Sequence, residues 1–398
     1  MSVESDSETL RTLAAGARAA GKLALDTEFM GEGRYRTLLC LLQLAIPDST
    51  DTAERIAIVD PLEEGLDAGP LTELLADPGV QVVVHAGRQD IALLRRCFRT
   101  EVRNVFDTQV AAGFAGMAAQ CSYEKLLGVL LGLRVAKTAS FTRWDTRPLS
   151  PEQLAYARED VVHLLELAAE LERRLAALGR LEWAREECEP LERSSDAREL
   201  ETIFARLPRI AALSGPARSV ARELVEWRER TAERNDRPVQ SVLGDAALME
   251  IAKRRPQEKT ELERIRGLGP ARRHVGDLLG AVRRGQSRPL DPPELEQRQP
   301  PPKPEDAALV ALAEALARAR AREAVLAYEL LATRADLQMI VASMRGDGEE
   351  PDVRTLTGWR RELVGAELLE LLDGHLSLSV LAGKGPRQVQ IGPRPANG

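Results

Sequence analysis

A chain of 398 residues exceeds one ordinary domain and suits two or three. With 44% hydrophobic residues each can bury a core, while 4% aromatic residues leave room for only a small base-stacking surface. The net charge of −7 argues, taken over the whole chain, against a nucleic-acid binder.

The first part alternates short apolar runs with helix-like segments. Leu23–Glu28, Leu38–Ile46, Arg55–Asp60 and Gln81–His85 read as strands, and the first three are close enough in sequence for an antiparallel meander. Arg88–Phe98 reads as a helix with Ile91, Leu94 and Phe98 along one side, and Val105–Thr108 as a further short strand. From there to Gly179 the pattern is helical. Pro151 opens a helix over Pro151–Leu178, with Ser150 as its N-cap. The expectation is an α/β domain over residues 1–190. Its longest apolar run, Leu38 to Ile46, is far short of the roughly 20 residues that span a bilayer. The N-terminus is acidic and has no apolar signal core. Cys40, Cys97, Cys121 and Cys188 form no C-x-x-C pair, which argues against a zinc site or a disulfide framework. A cytoplasmic protein without membrane contact is expected.

Residues 205–286 read as short helices broken at Asn235–Pro238, Arg255–Pro256 and Gly267–Pro270. A proline-rich linker follows over 287–304, "RPLDPPELEQRQPPPKP" from Arg288 to Pro304. A second helical block is expected over 305–381 and a disordered tail over 382–398. Charge is unevenly spread. Lys plus Arg number 21 against 30 Asp plus Glu in residues 1–190, 18 against 11 in 205–286, and 14 against 17 in 287–398. A basic middle between acidic neighbours suits a phosphate-binding module, and equally a solvated Arg/Glu helical surface.

Three stretches carry acids in places that ask for a reason. In "LALDTEFM", Asp26 and Glu28 alternate with Leu25 and Thr27, so both carboxylates leave one face of a strand near its C-terminal end. Two such acids repel unless a cation sits between them; a solvent-facing strand edge is the plain alternative. In "VVVHAGRQDIALLRR", Asp90 lies one turn into a helix, where its charge is also welcome for its own sake. In "LSPEQLAYAREDVVHLLEL", Tyr156 and Asp160 stand four apart on one helix face beside an apolar stripe.

Together these stretches give the order D-x-E, D, Y-x-x-x-D, and the sequence resembles the DEDD superfamily of 3'–5' exonucleases. Within it the tyrosine-bearing branch, and the ribonuclease D family in particular, is most similar. "KTASFTRWDTRPLSPEQLAYA" strengthens the resemblance, and it covers most of residues 1–190. The histidine-bearing branch would need its histidine five residues before the last acid, where Ala155 stands; His163 lies on the wrong side of Asp160. The resemblance implies an α/β ribonuclease H-like domain with a mixed sheet. It implies two divalent cations, Mg²⁺ or Mn²⁺, held by Asp26, Glu28, Asp90 and Asp160, with Tyr156 orienting the attacking water. All-oxygen ligands suit those ions, and a metal pair activates water and relieves charge on a leaving oxygen.

The segment after the first acids departs from the family pattern at Gly31 and Gly33, which leaves open how tightly it grips a terminal nucleotide. Phe29 and Met30 can wedge against a terminal base or serve as core. His85 and Gln89 can touch the scissile end, although a structural histidine is the simpler reading. Lys137, Arg143 and Arg147 can bind backbone phosphates or merely solvate a loop.

"RPVQSVLGDAALMEIAKRRPQEKTELERIRGLGPARRHVGDLLGAVRRG" looks like an HRDC domain, and residues 305–381 resemble a second, more divergent one. Lys253, Arg254, Arg255, Arg272 and Arg273 are the candidate nucleic-acid contacts there. The implied function is a metal-dependent 3'–5' exoribonuclease that releases nucleoside 5'-monophosphates. It would act as a monomer on single-stranded 3' ends of RNA, tRNA precursors foremost. The alternatives are a DNA 3'–5' exonuclease and a catalytically silent RNA-binding scaffold.

Overall fold

The computed structural model describes residues 7–47, 54–134, 143–288, 305–344, 350–381 and 388–394. Helix α1 (Ser7–Ala20) leads into a five-stranded mixed sheet of β1 (Lys22–Met30), β2 (Leu38–Pro47), β3 (Glu54–Val59), β4 (Gln81–Val84) and β5 (Val105–Asp107). The spatial order is β3-β2-β1-β4-β5. The expected meander β1-β2-β3 is antiparallel, while β1, β4 and β5 run parallel. Parallel pairing needs crossovers, and α2 (Gly69–Leu75) and α3 (Arg88–Phe98) supply them.

Each sheet face has its own cover. Leu23, Leu25, Leu42, Leu44, Ala57, Val82 and Val84 pack with Leu10, Leu13, Leu71, Leu74, Ile91 and Leu94 from α1, α2 and α3. Ala24, Ala45, Val83 and Phe106 face the other way. They meet α4 (Thr108–Phe114) and a C-terminal helical layer. The single helix expected over Pro151–Leu178 is instead two, α5 (Pro151–Glu159) and α6 (Leu164–Ala177). Ser150 caps α5 as expected, in a capping box with Gln153. The chain then tightens into three-residue turns, Val161 N–H donating to Arg158 O and Leu164 N–H to Val161 O. Adjacent β-branched Val161 and Val162 sit in this break, where their stiff side chains disfavour helix. Helix α7 (Leu181–Cys188) follows.

The middle unit packs α8 (Gly215–Arg234), α9 (Asp245–Arg254) and α10 (Val275–Ser287) around Val220, Leu224, Leu248, Ile251, Leu278 and Val282. Gly285 lets α8 and α10 cross closely: a Cβ there would lie 2.5 Å from Val220 Cα. Gly267 and Gly269 turn with positive φ, as expected. The C-terminal unit holds α11 (Asp306–Glu323), α12 (Arg334–Ser343) and α13 (Ala366–Leu372). It does not stand apart. Its Leu316, Leu330, Ile340, Trp359 and Leu368 share one core with Phe114, Leu164, Leu171 and Ala184 of the first domain. Trp359 stacks on Trp183 at 5.0 Å and meets Phe114 edge-on at 5.2 Å.

Two expectations for the C-terminus need correction. The block over 305–381 is not wholly helical, and residues 382–398 are not wholly a disordered tail. Leu376–Leu381 forms β6 and Gln388–Pro393 forms β7, paired antiparallel. Alternation in "LSLSVL" and "QVQI" carried that signal. Lys137 and all but the first two residues of the linker 287–304 lie outside the described residues.

Candidate active site

The site begins with register. Strand β1 pairs with β4 only from Lys22 to Ala24, then runs on beyond the end of β4. Asp26 and Glu28 lie on that overhang, opposite Gln43 and Leu41 of β2. A bulge follows between Glu28 and Phe29, so the strand bends just after its second acid. The carboxylates thus stand at the C-terminal edge of the parallel strands, where α/β sheets leave a crevice.

Asp90 reaches the site through a loop clamped by Asp107. The Asp107 carboxylate accepts hydrogen bonds from Gln109 N–H at 2.8 Å, Ala86 N–H at 3.0 Å and Gly87 N–H at 2.9 Å. It thereby caps α4 and fixes the entry to α3 together. Ala86 takes a positive φ of 56°, and a Cβ on Gly87 would fall 2.5 Å from Val84 Cγ2. The turn is tight enough to aim Asp90 back at β1, where its Oδ1 accepts a hydrogen bond from the Thr27 hydroxyl. Thr27 points away from Asp26 and Glu28, so Asp90 approaches from the flank.

Asp160 ends α5, its backbone N–H donating to Tyr156 O at 3.3 Å. The ring of Tyr156 rests against Trp144, centroids 6.0 Å apart. Leu41, Ile58 and Ala157 share that small cluster and lay α5 across the sheet edge.

These elements bring one carboxylate oxygen each from Asp26, Glu28 and Asp160 within 4.8 Å of one another. Asp90 is not in that group but is close enough to repel Asp26 and Glu28. Burial, then Asp90, Asp160 and Glu28, holds the Asp26 carboxyl well above the usual carboxylate range. Burial and the Asp160 and Asp90 charges raise Glu28 to about 8. Burial and Glu159 raise Asp160 to about 7, and burial raises Asp90 to about 6 against the opposing Thr27 hydrogen bond. Tyr156 is pushed up to about 12 by burial and by Asp160, Glu28 and Asp26. Crowded, desolvated acids with no cationic partner among these causes have the charge deficit that a hard cation removes. Three converging carboxylates, with no sulfur or imidazole in the group among the described residues, fit a hard divalent cation.

Comparison with known proteins agrees with this geometry. The 3'–5' exonuclease family matches residues 2–176, and the HRDC domain family matches residues 217–282. The ribonuclease D of Gluconacetobacter diazotrophicus is 37% identical over 366 residues, covering 90% of this chain and 89% of that protein. The ribonuclease D of Granulibacter bethesdensis is 35% identical over 94% of this chain and 93% of its own. The chain belongs to the ribonuclease D family. A crystal structure of Escherichia coli RNase D, described as an exoribonuclease involved in structured RNA processing, superimposes with a TM-score of 0.79. It is 27% identical, covering 94% of this chain and 99% of that one. As a ribonuclease D the chain is a hydrolase of the 3'–5' exoribonuclease class. The family's exonuclease fold carries divalent-metal dependence, and the acidic cluster suits it.

The residues expected to contact substrate divide. Phe29 is half-buried and belongs to no core cluster among the described residues, whereas Met30 packs with Cys40, Leu41 and Trp144. His85 is structural in its contacts: its Nδ1 lies 2.9 Å from Thr108 Oγ1, its ring leans on Tyr123, and burial lowers its pKa. Gln89 is exposed. Arg143 is exposed and pairs with Asp145 at 3.0 Å. Arg147 is engaged within the protein. Its guanidinium forks onto Asp60 and donates to Trp144 O at 2.7 Å and Cys40 O at 2.8 Å. Those bonds tie the loop before α5 to the sheet. Arg147→Ala is expected to lower the melting temperature by about 5 °C or more, since it takes the guanidinium away from the buried Asp60 carboxylate. A raised KM with an unchanged melting temperature would return Arg147 to the phosphate side.

Lys253 and Arg273 of the middle unit line different clefts. Lys253 lines a cleft of about 920 Å³ with Met249, Glu250 and Asp245. Arg273 lines another of about 490 Å³ with Arg234, Arg237 and His274. Arg254 pairs with Glu250, Arg255 ends α9 with positive φ, and Arg272 is exposed.

Sequence reasoning missed several neighbours of the site. Tyr123 lies close enough to Glu54, Asp160 and Asp26 for their charges to add to burial in raising its phenol. The loop after β1 binds protein: Arg34 pairs with Asp236 at 2.8 Å, Arg36 with Glu233 at 3.1 Å, and the Tyr35 hydroxyl donates to Glu229 at 3.1 Å. Buried Glu229 also takes a bidentate contact from Arg198. Charge complementarity between "RYR" and the acids at 229, 233 and 236 was the available signal.

Proposed function

We propose that the chain trims single-stranded 3' ends of RNA, tRNA precursors foremost, releasing nucleoside 5'-monophosphates by a two-metal reaction. It acts as a cytoplasmic monomer. The observation that carries this reading is the convergence of Asp26, Glu28 and Asp160 beside Tyr156, with Asp90 on the flank. The similar RNase D of Escherichia coli, described as acting in structured RNA processing, supports the substrate class.

Asp26, Glu28, Asp90 and Asp160 would hold two divalent cations, Mg²⁺ or Mn²⁺. When bound, such ions supply a nucleophile at neutral pH and neutralise charge on the leaving oxygen. The protein's own groups do the rest. Tyr156 keeps its proton at neutral pH and can donate it in a hydrogen bond that orients a water, so it positions rather than deprotonates. Trp144 fixes the plane of that ring. Phe29, at the bulge beyond Glu28, offers a face for the terminal base.

The test is one incubation of end-labelled RNA and DNA oligomers with Mg²⁺, Mn²⁺ or EDTA. Stepwise shortening of RNA from the 3' end, nucleoside 5'-monophosphate products and silence in EDTA are expected. Faster loss of DNA would move the assignment to a DNA exonuclease. Tight RNA binding without shortening in either metal would leave a scaffold.

A further inference from the structure

The register that places Asp26 also places an unexplained residue beside it. Gln43 of β2 stands directly opposite Asp26 in the antiparallel pair. Directly paired residues project from the same sheet face with Cβ atoms roughly 5 Å apart. Gln43 is fully buried, and neither its Nε2 nor its Oε1 has a hydrogen-bond partner among the described residues. Its other same-face neighbours are Leu41 and Ala45 along the strand and Ile58 across it, all buried and apolar. Asp26 is the polar side chain among these direct strand neighbours, with Glu28 diagonally across.

An unpaired buried carboxamide is destabilising, and a methionine of equal length would fill the same space without that cost. A buried carboxamide calls for a partner, and the side chain opposite it, that of Asp26, is the candidate. A carboxylate that ligates a cation with one oxygen keeps acceptor capacity for a neighbouring donor. Hydrogen bonds of this kind commonly fix ligand orientation.

We propose that Gln43 is a positioning residue for the metal site: its Nε2 donates to Asp26 when that carboxylate turns to hold cation. This rests on the metal-site reading given above. Gln43 touches neither RNA nor cation, and acts only by fixing which way Asp26 faces.

The experiment uses the full chain as wild type, Gln43→Met, Gln43→Asn and Asp26→Asn, with Mn²⁺ binding measured by calorimetry in the absence of RNA. Gln43→Met is expected to melt in EDTA at or above the wild-type temperature. Its Mn²⁺ affinity is expected to fall by about 10–100-fold, with kcat reduced and the KM for RNA unchanged. A merely structural glutamine would leave Mn²⁺ affinity where it was, and that result overturns the proposal. Should the methionine variant not fold, Gln43→Asn decides, because it keeps the amide but withdraws it by one methylene. Weaker Mn²⁺ binding supports the positioning role, and equal binding ends it. If wild type binds Mn²⁺ no better than Asp26→Asn, the metal reading itself fails and takes this one with it. If wild type binds and Gln43→Met binds equally, only the role of Gln43 falls.

Discussion

Asp26→Asn and Asp160→Asn each lose RNA hydrolysis by about a thousandfold or more, yet melt in EDTA no lower than wild type. The two halves of that result come from the same geometry. Asp26, Glu28 and Asp160 converge with Asp90 close by, and every one of these carboxyls is raised by burial and by its neighbours or sequence partners. Without cations the cluster is a site of mutual repulsion, so exchanging one acid for its isosteric amide relieves strain. With cations the same exchange removes a charged ligand worth several kcal/mol in the transition state. At 1.36 kcal/mol per tenfold, about 4 kcal/mol is a thousandfold in rate. End-labelled RNA in Mn²⁺ gives the rate, and circular dichroism in EDTA gives the melting temperature. Hydrolysis within tenfold of wild type would remove these residues from the chemistry. A lower melting temperature in EDTA would mean that the acids hold the fold together.

Some of this was legible in the sequence and some was hidden for physical reasons. The period of two in "LALDTEFM" put Asp26 and Glu28 on one face, and the pairing of β1 with β2 bears that out. The meander, α3 and the Ser150 cap were readable because strand alternation and capping chemistry are local. The break after Asp160 was not. Both flanks are helical in pattern, and the interruption depends on Val161 burying itself beneath α4 and α6. The C-terminal block read as a separate unit because its proline-rich approach resembles a domain linker. Its core is nevertheless continuous with α4, α6 and α7, and long-range packing leaves no mark in a one-dimensional pattern. The partner of Arg147 was hidden for a related reason: the carboxylate of Asp60 that it meets stands 87 positions earlier in the chain. Gln43 was overlooked because a single polar residue in "LCLLQLA" is easily absorbed into a strand whose other members are all core.

Mn²⁺ raises the melting temperature, and the increment grows as pH rises from about 6.5 to about 8.5. The carboxyl of Glu28 is raised to about 8 and that of Asp160 to about 7, both above the ordinary range near 4 that they regain on unfolding. Between those limits the folded chain binds more protons than the unfolded chain. Its metal-free stability therefore falls as pH climbs through that range. Glu54, raised by burial to about 7, adds to the same slope from outside the cluster. His85 works the other way, since burial lowers its pKa. Its contribution is confined to pH below its ordinary value near 6.5, which is why the comparison starts there. A cation competes with the protons on Glu28 and Asp160, so it binds more tightly as they leave. At a hundredfold excess over its dissociation constant it stabilises the fold by about 2.7 kcal/mol. In EDTA the melting temperature should drop between the two pH values, and with Mn²⁺ most of that drop should vanish. Asp26→Asn should keep the Glu54 part of the slope and lose most of the Mn²⁺ response. A metal increment that is the same at both pH values would mean that the cation binds elsewhere, because only ligands that trade protons for metal tie the two together.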